Sequence, residues 1–150
     1  MKRNLLIALV VIAFLSLVLF GFKTFITSIY NQRDCEFANI DNIEVNTGID
    51  IPSIESTTCN YDEIKNQKSV YFKLDKEVNI QDYYTSNHFK NVQSSDLVKF
   101  KELDFVGNKG PFNDGSNNYY YKSEMRRSNS YHAILNFDTK ELWIVISFKD

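Results

Sequence analysis

NYYYKSEMRRSNSYHAILNFDTKELWIVISF, residues 118–148, decides the fold. Three runs rich in aromatic and β-branched residues, 118–126, 130–137 and 142–148, are separated by Arg127-Ser128-Asn129 and by residues 138–141. That spacing predicts two hairpins and an antiparallel meander. Pairing Phe137 with Leu142 sets Leu135 opposite Ile144, Ala133 opposite Ile146 and Tyr131 opposite Phe148. Pairing Met125 with Tyr131 sets Ser123 opposite Ala133 and Tyr121 opposite Leu135. Both hairpins then gather one apolar set on one face.

The opposite face would hold Tyr120, Lys122, Glu124, His132, Ile134, Asn136, Trp143 and Val145. Ile134, Trp143 and Val145 are too apolar for open solvent. Either the face binds a partner, with Tyr120, Trp143 and the nearby Arg126 and Arg127 as anchors, or another element of the domain covers it. The covering candidates are a helix at 80–89 and residues 97–106, and a covered face is the commoner outcome. The candidate interaction surface is thus Tyr120, Arg126, Arg127, His132, Ile134, Trp143 and Val145. Arg126-Arg127 beside Ser128-Asn129-Ser130 also has the form of an anion site, although charge pairs in turns are usually solvated.

Upstream of the meander, Phe37, Ile40 and Ile43 predict a short helix that Gly48 terminates. Pro52 biases Ile51 towards β, and a strand is expected at 54–61. Residues 62–68 read as a polar turn and 69–74 as a second strand. Asn79 is a good N-cap, with Asp82 in the first turn of a helix at 80–89 that buries Ile80, Tyr83 and Tyr84. Ser94 to Asp96 breaks the chain, a strand is expected at 97–106, and 107–117 reads as a long loop. The fold class is α+β: an N-terminal transmembrane helix, then an antiparallel sheet with one or two packed helices.

That first helix is LLIALVVIAFLSLVLFGF, residues 5–22, a run without charge in which Ser16 and Gly21 are the non-apolar members. At about 1.5 Å per residue it matches the hydrocarbon thickness of a bilayer, where only a helix satisfies its own backbone. Lys2 and Arg3 precede it, as in a signal peptide or an uncleaved anchor. The cleavage sites fit poorly, since Gly21-Phe22-Lys23 ends in a charge and Ile26-Thr27-Ser28 begins with a bulky residue. An apolar stripe of Phe22, Phe25, Ile26, Ile29 and Tyr30 continues the helix through the interface. The expectation is an anchor at 1–30 carrying an exported domain at 31–150, with a cleaved leader as the alternative. The basic head places the amino terminus in the cytoplasm and the domain outside a bacterial inner membrane, in the periplasm or beyond the cell.

Lys2, Arg3 and Lys23 lie in the anchor, leaving 14 basic against 19 acidic residues, about −5, in the domain. That balance argues against nucleic acid and anionic lipid surfaces. Cys35 and Cys59, an even pair in an exported domain, read as a disulfide. The alternatives are buried free thiols or a metal site with His88 and His132, for which no local ligand spacing exists.

The words TGIDIP (from Thr47) and VYFKLD (from Val70), separated by a strand and a polar turn, resemble the opening of small exported bacterial proteins of uncharacterised function. The resemblance implies an envelope α+β domain and supplies no catalytic residues. The chain shows no nucleophile elbow, P-loop, H-E-x-x-H or glycine-rich dinucleotide turn, so no catalytic, metal or cofactor residues are named. The expected role is binding without catalysis, towards a protein partner. One concrete form is an immunity-type protein that neutralises a toxin acting outside the cytoplasm. The rivals are an accessory subunit of a membrane complex, recognised through its span, and an envelope hydrolase using paired carboxylates.

Overall fold

The structure, a computed structural model, describes residues 2–36, 39–93, 96, 100, 103, 105, 106, 110–112 and 118–149. The chain forms two compact units, Met1–Gln32 and Arg33–Asp150. The first is helix α1 (Lys2–Asn31). Its large apolar side chains from Leu9 to Phe22 are at least half exposed. Three of its hydroxyls turn inward on the helix: Ser16 Oγ donates to Ile12 O at 2.8 Å, Thr24 Oγ1 to Phe20 O and Thr27 Oγ1 to Lys23 O at 2.9 Å. Each polar group is thereby satisfied without water. This helix is long and apolar enough to be a membrane anchor or a signal sequence.

The second unit is α+β. Helix α2 (Asn39–Thr47) is closed by Gly48, whose φ of +67° is a conformation glycine adopts without strain. Strands β1 (Ile54–Asp62) and β2 (Gln67–Leu74) form a hairpin. Helix α3 (Ile80–Ser86) follows, and Asn79 caps it by accepting from Asp82 N while donating to Asp82 Oδ2 at 2.7 Å. A two-residue strand β3 (Lys90–Asn91) precedes the meander of β4 (Tyr119–Arg126), β5 (Asn129–Asn136) and β6 (Glu141–Ser147). All pairings are antiparallel, in the order β1-β2-β6-β5-β4-β3.

Two cores sandwich the sheet. On one face Val70, Phe72, Leu74, Tyr131, Ala133, Leu135, Leu142, Ile144 and Ile146 pack under Ile43 of α2, under Ile49 and Ile51, and under Ile80 and Tyr83 of α3. On the other, Ile134 and Trp143 pack with Tyr119 and Phe100, and Leu103, Phe105 and Phe112 lie against them.

Several expectations need correction. The strand expected at 97–106 is absent among the described residues: Phe100 is helical, and Leu103, Phe105 and Val106 lie outside any strand. Phe100 and Leu103 both pack on the second face. Residues 97–99, 101, 102 and 104 lie outside the described residues, as does most of the loop expected at 107–117. Helix α3 stops at Ser86 and not at Phe89, because His88 has a φ of +59° and Phe89 turns into the core. The turn at 62–68 is shorter than expected, since β2 already begins at Gln67.

Both hairpin registers also differ. Leu135 lies opposite Leu142 and Ala133 opposite Ile144, two residues from the expected pairing, so the faces are unchanged. The β4–β5 loop contains only Arg127 and Ser128, so Arg126 pairs with Asn129. A two-residue loop, started here by the φ of +55° at Arg127, moves the register by one and exchanges the faces of β4. Tyr120 and Lys122 therefore join the face of Leu135 and Ala133, while Tyr119 and Tyr121 join that of Ile134.

Candidate functional site

The candidate surface read from the sequence is not one surface. Ile134, Trp143 and Val145 share the second face but are at most 2% exposed, and Ile134 and Trp143 pack with Phe100 and its neighbours in a core. His132 is on that face and half-buried, with Nδ1 at 2.8 Å from Ser123 Oγ and its ring edge-on to Phe100. Tyr120 is on the first face, stacked on Tyr84 of α3 with centroids 4.5 Å apart. Arg126 ends β4 on that same face, and Arg127 occupies the hairpin loop. The covering element is thus the segment around Phe100, not α3, which serves the other core.

The surface that the topology leaves accessible lies at the other edge. Strand β1 pairs with β2 on one side and, among the described residues, with nothing on its other side. Glu55 through Thr58 and Asn60 are exposed, while Ile54, Cys59, Tyr61 and Asp62 are partly covered. A register shift between Ile54 and Ser56 bends its start. The disulfide joins Cys59 to Cys35, with Cα atoms 5.7 Å apart, and staples the start of the second unit to this edge. An apolar helix followed by a disulfide domain points to an oxidising compartment.

Beside β1, on the second face, a cleft of about 330 Å³ is lined by Asn60, Asp62, Gln67, Ser69, Phe105 and Val106. The four polar residues are two cross-strand pairs, Asn60 with Ser69 and Asp62 with Gln67. Gln67 Nε2 donates to Ser147 Oγ at 3.1 Å, and Asp62 Oδ1 accepts from the N–H groups of Ile64 and Lys65. The cleft therefore combines amide and hydroxyl groups with an apolar wall, and it opens at the unpaired strand.

No family model matches this chain. Neither a curated protein nor a solved structure matches it.

The other face at the same end of the sheet holds an unexpected group. Lys68 is fully buried, and its Nζ donates to Asn42 Oδ1 at 2.7 Å and to Asn39 Oδ1 at 3.2 Å. Burial lowers its pKa to about 8, with the Asp34 carboxylate pulling the other way. The signal for this residue was available: Lys68 has the same parity in its strand as Val70, Phe72 and Leu74, which places it on the apolar face. Asn46 of α2 completes the polar layer by accepting from Asn129 Nδ2 at 2.7 Å.

Three tyrosines have pKa values pushed up. Burial is the first cause for each. Tyr71 rises to about 12, helped by its 2.8 Å hydrogen bond to Glu141 and that carboxylate's charge. Tyr131, which donates to Glu124, and Tyr83, facing the charges of Asp50 and Glu44, rise further. Tyr83 Oη and Trp143 Nε1 are buried and, among the described residues, unpartnered.

Proposed function

We propose that this chain is a single-pass protein of a bacterial envelope membrane, held by residues 5–22 with its amino terminus in the cytoplasm, whose exported unit binds a protein partner without catalysis. The observation that carries the reading is the nine-residue strand β1, unpaired on one side and adjoining the cleft at Asn60, Asp62, Gln67 and Ser69. An extended segment of a partner adds to such an edge through its main chain, and a neighbouring cleft selects one of its side chains. Polar lining favours a polar residue at that position, and the domain's charge of about −5 favours a basic partner. A toxin that acts outside the cytoplasm is a partner of this kind.

The test is photo-cross-linking from β1 in the full chain in its native membrane. Along an antiparallel edge, alternate N–H groups point away from the paired strand. One of Thr57→Pro and Thr58→Pro therefore removes an outward donor and spares the β1–β2 ladder. A defined protein adduct from β1 that this variant loses, with the fold retained, supports the reading. Absence of any protein adduct, or an adduct indifferent to both prolines, overturns it.

A further inference from the structure

The binding edge makes no use of Lys68, and a buried amine held against a carboxamide has chemistry of its own. We propose that Lys68 and Asn42 form an intramolecular amide cross-link, joining β2 to α2 through the side chains. Nζ lies 2.7 Å from Asn42 Oδ1, and both residues are fully buried, so water does not compete for either group. Cγ is one bond beyond Oδ1, so a small shift of the flexible Lys68 side chain, with Oδ1 swung aside about the Cβ–Cγ bond, brings Nζ onto Cγ. Asn39, also in contact, is farther from Nζ and only partly buried.

The reaction balances without an oxidant or co-reactant. The neutral amine adds its lone pair to Asn42 Cγ, forming the new C–N bond while the carbonyl pair moves to Oδ1. One Nζ proton passes to Nδ2, the pair returns from Oδ1, and the Cγ–Nδ2 bond breaks. Ammonia leaves, and Nζ keeps one proton as a secondary amide. The proton passes directly between the two nitrogens, Nζ and Nδ2, since Asp34, whose charge reaches the amine, is exposed. The neutral amine is in useful supply: with a pKa of about 8, roughly a tenth of it is unprotonated at pH 7, against less than a thousandth for an exposed lysine. Loss of ammonia from a dry site makes the step effectively irreversible. It also replaces a buried ammonium, which is costly to desolvate, with a neutral group.

The experiment is intact-mass measurement of the full chain, extracted in detergent and reduced, followed by peptide mapping. The expected mass is the sequence mass less one ammonia, with Lys68 resistant to trypsin and its peptide joined to that of Asn42. Lys68→Met and Asn42→Ala should show no such deficit. Asn42→Asp should lose water instead and arrive at the same cross-linked mass. A wild-type chain at its full sequence mass overturns the proposal. So does an ammonia deficit that maps elsewhere, such as a succinimide or a link to Asn39. The wild-type measurement decides even if a variant fails to fold.

Discussion

An ideal Cβ placed on Gly48 would fall 1.7 Å from Nη1 of Arg126, so the end of α2 and the end of β4 meet at a point where a side chain has no room. Two costs would follow from Gly48→Ala: the collision, and the left-handed φ of +67°. The colliding atom ends a flexible, exposed side chain and can move, whereas the backbone cannot. The expected loss is about 1–2 kcal/mol in chemical denaturation. Gly48→Ala with Arg126→Ala should recover only a minor part of it, and full recovery would show that the collision dominates.

Removing the Cys35–Cys59 bridge, by reduction or by the double serine variant, should destabilise the second unit by about 3 kcal/mol, the loop-closure value for a sequence separation of 24. The denaturation midpoint of the full chain in detergent, with and without reductant, measures it. An unchanged midpoint would mean that the link contributes nothing.

Truncations on the second face should behave as core mutations. Ile134→Ala should cost about 2–4 kcal/mol and Trp143→Ala about 3–5 kcal/mol. Trp143→Phe should cost far less, because it also removes a buried N–H that has no acceptor among the described residues. If Ile134→Ala and Trp143→Ala left stability intact and abolished partner capture, the face would be a recognition surface after all.

Alkaline pH should weaken the fold. Tyr71, Tyr83 and Tyr131 hold their protons in the native state above the pH at which the unfolded chain releases them. Stability from this source is fully present below about pH 10 and is lost as pH climbs through the native value of about 12 for Tyr71 and beyond. Denaturation midpoints at pH 9 and pH 11 should differ, with the higher pH less stable. Equal midpoints would count against these shifts.

The apolar first helix, the start of α3, the end of α2 and five of the strands were legible in the chain because each carries its own signal: a charge-free run, a cap at Asn79, a glycine at 48, alternation along 69–74 and 118–148. The register of β4 was not, since one residue in the loop after Arg126 decides it and two-residue and three-residue loops fit the same letters. Lys99 and Lys101 flanking Phe100 imitated a strand, whereas Phe100 and Leu103 both pack on the second face. The candidate edge was hidden for a different reason. β1 is free because β2 takes β6 as its other neighbour, a pairing between residues such as Val70 and Ile144 that no local pattern announces.

That same placement of β6 bears on biosynthesis. Among the described strands, the last in chain order sits in the middle of the sheet, bridging the β1–β2 hairpin to the β4–β5 hairpin. Before β6 is in place, the two hairpins have no common seam and each has an apolar side open to water. Closure awaits the arrival of Glu141–Ser147. A chain cut before Glu141 therefore leaves two orphaned hairpins, a ready substrate for proteases.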